Sequence, residues 1–115
     1  MKIGIGTDIE KVNRFESNLN NKFFLNKIFT KNELDYCFKS IKPAEHLTAR
    51  FAGKEATIKA YYSLSNKFLN YKDIEILNGV DGEPILNLNK NINCKMSLSH
   101  TKDDAIAFVY LEKNE

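Results

Sequence analysis

Cysteine is scarce in this chain, and its scarcity sets the first limits. Cys37 and Cys94 are the only two. They lack metal-ligand spacing, and the opening Met1-Lys2-Ile3-Gly4-Ile5-Gly6 is too short and too glycine-broken for a signal peptide. Both are therefore expected as reduced core residues of a cytoplasmic protein. No stretch reaches about 18 consecutive apolar residues, so no membrane span is expected. No dense Lys/Arg run carries interleaved aromatics, which argues against nucleic acid as the partner. No internal repeat and no linker divides the 115 residues. One domain, residues 1–115, is expected, near the usual domain size.

What is present is an ordinary globular composition. Hydrophobic residues make up 43% and charged residues 28%, which excludes a disordered chain. The core is small at this length, so an oligomer interface can supplement it. Net charge is only +2, but residues 1–60 hold eleven Lys+Arg against seven Asp+Glu, and residues 61–115 hold six against eight. A basic first half suits an acidic partner or a phosphate-bearing ligand.

The stretch from Arg50 to Ala60 organises the chain. Wound at about 100° per residue, it sorts into faces. Phe51, Ala52, Glu55, Ile58, Lys59 and Tyr62 share one side. Ala49, Gly53, Ala56 and Ala60 form a smooth side where another element can approach, and Arg50, Lys54 and Tyr61 form a cationic strip between them. Glu55 and Lys59 are i,i+4 neighbours inside an apolar stripe. A solvated pair of this kind is worth only ~0.2–0.5 kcal/mol. At the edge of a core each charge needs a partner, which makes the two residues site candidates.

The remaining elements follow from periodicity and turn chemistry. Residues 2–8 alternate as a strand with Ile3, Ile5 and Thr7 on one face and Gly4, Gly6 and Asp8 on the other. The two glycines leave room for a backbone or a ligand. Asp8 is placed to cap a helical turn over 9–15. A short helix is expected over 23–29, then a Thr30-x-x-Glu33 capping box and a helix with Leu34, Cys37, Phe38 and Ile41 toward the core. Lys42-Pro43 ends it and opens a long helix over about 44–64, in which Gly53 marks a tight crossing. Residues 73–78 and 85–88 form a hairpin around the 79–84 turn. Residues 94–99 alternate. Residues 105–111 are apolar on both faces and so form a central strand. The order gives an α+β fold, an antiparallel sheet packed on one long helix plus shorter helices.

Asp8, Glu55 and Lys59 come from separate stretches, and two of them are carboxylates. Hard oxygen ligands suit Mg²⁺, which takes one or two protein carboxylates and completes its shell with water and phosphate oxygens. A lysine beside them can neutralise phosphate charge. The same trio also suits a Mg-dependent phosphodiesterase or nuclease, and a non-catalytic binding module is a further possibility.

The chain strongly resembles the holo-acyl-carrier-protein synthases, the small type of 4′-phosphopantetheinyl transferase. Three ordered blocks carry the likeness: Ile3-Gly4-Ile5-Gly6-Thr7-Asp8-Ile9 through Arg14, Arg50-Phe51-Ala52-Gly53-Lys54-Glu55-Ala56 through Lys59-Ala60, and Ser97-Leu98-Ser99-His100-Thr101. Ile28-Phe29-Thr30 with Glu33, and Gly82-Glu83-Pro84, match in order and spacing. The resemblance implies transfer of the phosphopantetheine arm of coenzyme A to a serine of acyl carrier protein, releasing adenosine 3′,5′-bisphosphate. It implies that Asp8 and Glu55 hold Mg²⁺, that Glu55 is the candidate base, and that Lys59 offsets charge on the phosphoryl group. Coenzyme A contacts then fall on Arg50, Lys54, Lys59, Gly82, Pro84, His100 and Thr101. Arg14 and Lys27 are expected to face the acidic carrier, and the assembly to be a homotrimer. Gly53 stands where the family commonly has alanine, and Phe23 where related proteins often place a carrier-facing arginine. His46 has no motif behind it and reads as a surface residue.

Overall fold

A computed structural model describes residues 1–114; Glu115, the last residue of the expected domain, lies outside the described residues. The elements are β1 (Lys2–Lys11), α1 (Asn13–Glu16), α2 (Lys22–Ile28), α3 (Lys31–Phe38), α4 (Pro43–Ser65), a 3₁₀ turn (Tyr71–Asp73), β2 (Glu75–Asn78), β3 (Pro84–Asn87), β4 (Asn93–His100) and β5 (Asp104–Lys113). All strand pairs are antiparallel. One sheet has the order β1-β5-β4, and β2 pairs with β3 in a second. The expected α+β architecture on one long helix is what forms, and β5 is the central strand of its sheet.

Helix α4 starts at Pro43, whose fixed φ and missing N–H suit a first helical turn. It ends at Asn66, a left-handed residue with φ 60°. Its smooth side meets β1. A Cβ on Gly6 would stand 1.9 Å from the Ala56 carbonyl oxygen, and one on Gly4 would stand 2.1 Å from that of Ala60. Only glycine lets strand and helix backbones come this close. What the bare glycine face admits is therefore α4 itself. Gly53 is likewise covered, by Ile76, Met96 and Leu98, which is the tight crossing its presence implied.

Ala52, Ala56 and Ala60 of α4 pack under Ala107, Val109 and Leu111 of β5 and Ile76 of β2 to form one core. Phe15, Leu25, Ile28, Phe29, Leu47 and Phe51 form a second, beneath α1 and α2. Cys37 is buried and Cys94 partly so, and both are free thiols. Burial pushes Cys37 up to about 12, so it stays protonated and inert.

Three expectations change. Residues 9–11 continue β1 instead of opening a helix, because Ile9, Glu10 and Lys11 pair with Ile106, Ala105 and Asp104. Ladder pairing overrides the local cap chemistry, so Asp8 sits inside a strand opposite Ala107 and caps nothing. The expected α3 stripe is only half used: Cys37 is buried, whereas Ile41 lies beyond the helix and is 97% exposed. Asp73 belongs to the 3₁₀ turn, and β2 begins at Glu75.

Candidate active site

Beyond the close approach at Gly4 and Gly6, Asp8 of β1 meets α4 in a polar cluster. Lys59 of α4 donates to the Thr7 carbonyl at 3.0 Å and to Asp8 Oδ1 at 3.2 Å. The Asp8 side chain is 11% exposed and that of Lys59 55%, so the carboxylate is mostly covered while the ammonium reaches water. Asp8 Oδ2 is buried with no hydrogen-bond partner. Such an atom is costly to leave unsatisfied. Lys59 pairs with Asp8, not with Glu55 as helical spacing alone implied. Glu55 instead accepts a 2.5 Å hydrogen bond at Oε1 from the hydroxyl of Tyr71.

Glu10 joins the cluster from the same face of β1, two residues past Asp8. Its carboxyl is pushed up to about 7, by burial first and then by the neighbouring Asp8 carboxylate. Glu55 adds to this, and Arg14, 3.8 Å away, opposes it. Asp8 and Glu10 thus press two carboxylates together, and the Glu55 charge is near enough to add to the repulsion. The donor set is all oxygen and one buried oxygen is orphaned, so a hard divalent cation fits. Among the described residues no group of three or more His, Cys, Asp or Glu side chains is placed to hold a metal ion, so protein ligation there is limited to two carboxylates. An ion held by Asp8 and Glu55 would keep open positions for water and phosphate.

A second polar group lies along α4 toward its N-terminus. Arg50, 3% exposed, donates to Asn78 Oδ1, and its guanidinium lies 4.3 Å over the Tyr36 ring. Its Nε is buried without a partner. Asn78 in turn donates to the Gly82 carbonyl at 3.0 Å, which ties Arg50 to the turn before Pro84. His100, at the end of β4, meets Glu45 Oε1 through Nδ1 at 3.1 Å and packs edge-on against His46, 5.4 Å between centroids. Thr101 closes the next turn by accepting from the Asp103 and Asp104 backbones. Gly82, His100 and Thr101 therefore sit in turns or at a strand end, while Arg50 reaches the Gly82 turn from within α4 through Asn78. His46 is not a plain surface residue: it lies between Tyr36 and His100. Its ring is held below its ordinary pKa by burial, with His100 and Arg50 adding to that.

Lys54 departs from the expected set. Its side chain and that of Glu33 are both fully buried, with Nζ 2.8 Å from Glu33 Oε1. Nζ also donates to the carbonyls of Tyr71 and Ile74. Burial pulls its pKa down while Glu33 pulls the other way. All three ammonium protons are used inside the protein, so none is left for a nucleotide. The cationic strip is thus an interior seam, because β2 and the 3₁₀ turn cover that side of α4. Arg14 and Lys27 lie on α1 and α2, Arg14 over the Phe51 ring at 4.9 Å and Lys27 over Phe23 at 4.3 Å.

A family model described as the 4′-phosphopantetheinyl transferase superfamily matches residues 4–109. The chain belongs to that superfamily. Among relatives, a holo-[acyl-carrier-protein] synthase of Thermodesulfovibrio yellowstonii is 43% identical, across 94% of this chain and 96% of its own. One from Aquifex aeolicus is 39% identical, across 95% and 98%. The crystal structure of the Bacillus anthracis holo-(acyl-carrier-protein) synthase in complex with CoA (3′,5′-ADP) superposes with a TM-score of 0.82 at 33% identity, covering 99% of this chain and 100% of that one. Within this phosphopantetheinyl transferase fold, sequence reasoning missed Glu10, Tyr71, Asn78, Glu45 and the role of His46. Glu10 had a signal: in a strand, i and i+2 share a face, so extending β1 by three residues puts it beside Asp8. The others are brought in by tertiary packing.

Proposed function

We propose that this chain is a holo-[acyl-carrier-protein] synthase. It moves the 4′-phosphopantetheine arm of coenzyme A onto a serine of apo acyl carrier protein and releases adenosine 3′,5′-bisphosphate. It acts in the cytoplasm, in fatty acid biosynthesis, with residues 1–115 as one transferase domain. The observation that carries this reading is the orphaned Asp8 Oδ2, beside Glu10 and Glu55 and flanked by a half-exposed lysine.

Asp8 and Glu55 would hold Mg²⁺, which supplies neutralising charge to the pyrophosphate oxygens. Glu55 takes the proton of the serine hydroxyl, directly or through one water, because serine is a weak nucleophile at its own pKa. Lys59 swings its exposed ammonium to the phosphoryl group and offsets the charge that develops there. Arg50, His100 and Thr101, with the Gly82–Pro84 turn, hold the nucleotide end of coenzyme A. The unpaired Arg50 Nε is a donor in reserve for that end. Lys54 supports this machinery from inside and touches no ligand.

Arg14 and Lys27 present charge beside aromatic rings to an acidic carrier. The solvent face of β1 and β5 exposes Ile3, Ile5, Ile9, Ile106 and Phe108. An apolar sheet face of this kind calls for cover, and a homotrimer with sites shared at its interfaces provides it. No helix among the described residues is long and apolar enough to cross a membrane. The test is intact mass spectrometry of an apo carrier mixed with this protein, coenzyme A and Mg²⁺. Transfer gives a carrier heavier by one phosphopantetheine group and an equal amount of adenosine 3′,5′-bisphosphate. Nucleotide release without a carrier would mean a phosphodiesterase, and binding without either product a non-catalytic module.

A further inference from the structure

Tyr71 lies outside every block that carries the family likeness, yet among the described residues it makes the one side-chain hydrogen bond that Glu55 has. Two neighbouring residues of α4 grip it. Lys54 Nζ donates to its carbonyl oxygen at 2.9 Å, and Glu55 Oε1 accepts from its hydroxyl at 2.5 Å. Its ring packs on Phe51, 5.7 Å between centroids. Backbone and ring are thus fixed independently of the hydroxyl, so the phenol arrives at Glu55 already oriented. The Glu33–Lys54 pair, fully buried, anchors the turn that carries it.

We propose that Tyr71 is a positioning residue for Glu55: its hydroxyl occupies Oε1, fixes the carboxylate's rotamer, and leaves Oε2 to face the metal and the serine. This rests on the reading of Asp8 and Glu55 as the Mg²⁺ ligands. A carboxylate ligand held by an outer hydrogen bond loses less freedom when it binds, and removing such a partner typically weakens metal binding about 10–100-fold. If the hydroxyl served only to satisfy a partly buried phenol, its loss would leave the metal untouched.

Tyr71→Phe separates the two, since it keeps the ring on Phe51 and deletes one oxygen. Mn²⁺ alone, a hard-ligand substitute for Mg²⁺, is titrated into the full chain, and free Mn²⁺ is counted by electron paramagnetic resonance. Thermal unfolding serves as the check on the fold. The expected result is a Mn²⁺ Kd about 10–100-fold weaker in Tyr71→Phe than in wild type, with a matching rise in the Mg²⁺ concentration that gives half-maximal transfer. Wild type and Tyr71→Phe binding Mn²⁺ equally would overturn the inference alone. A wild-type chain that takes up no Mn²⁺ would overturn the assignment of Asp8 and Glu55 as ligands, and this inference with it.

Discussion

Helix α4 carries two lysines five residues apart, each paired with a carboxylate, and the two pairs do opposite things. Lys54 and Glu33 are fully buried and saturated: Glu33 also accepts from the Thr30 and Ile76 backbones, and Lys54 donates to two carbonyls. Nothing there is left over for a ligand. Lys59 and Asp8 stand at the surface with the lysine half-exposed and one Asp8 oxygen orphaned. A saturated buried pair fixes geometry, whereas an unsaturated pair at an edge keeps donors and acceptors for a substrate. Both signs of charge are conspicuous in the sequence; only burial and partner count separate scaffold from chemistry.

The comparison breaks most visibly at Glu55, which sits between the two pairs in sequence. Glu55→Gln is expected to cut transfer by on the order of 10³-fold or more, since in the proposed mechanism it removes a metal ligand and a base together. A near-normal rate would move the chemistry elsewhere. The two lysines should then part company. Lys54→Met leaves Glu33 buried and unpaired, and is expected to cost about 3–5 kcal/mol of stability in chemical denaturation. Lys59→Met leaves the mostly covered Asp8 carboxylate without its cation and should cost less than Lys54→Met, about 1–3 kcal/mol, yet slow transfer by roughly 10²-fold as a charge-stabilising contact is lost. If Lys59→Met proved the less stable of the two, the assignment would be reversed.

Glu10→Gln sharpens the account with a smaller effect. The folded chain holds this carboxyl up at about 7, above its ordinary 4.5. Between these values the folded state binds the extra proton, so stability falls as pH rises through the window. Glutamine carries no such penalty. The variant's gain in Tm without metal should be absent near pH 4, grow across the window and level off above about pH 7. An equal gain at every pH would show that packing, not charge, is responsible.

Much of this was legible in the sequence. The long helix, the Thr30–Glu33 capping box, the 79–84 turn and the central position of β5 all follow from local chemistry and periodicity. Glu55 and Lys59 stood out as charges inside an apolar stripe, and Asp8 as a carboxylate on the face of two glycines. What could not be read was set by contacts between distant segments. The Asp8 cap gave way to pairing with β5. Lys54 read as part of a cationic strip between two faces of the helix, because a helical wheel does not show that β2 and the 3₁₀ turn cover it. Tyr71 and Asn78 reach α4 only through the fold.

The central claim is that the Asp8 edge is a cation site and not a structural contact, and Asp8→Asn tests it most directly. Asparagine keeps the size and one oxygen but removes the charge. Carrier mass and thermal unfolding are followed on the same sample while Mg²⁺ is raised. The account predicts a fold still intact, shown by cooperative unfolding, transfer lower by on the order of 10²-fold at low Mg²⁺, and partial recovery as Mg²⁺ increases. Near-normal transfer at low Mg²⁺, with the fold intact, would contradict it.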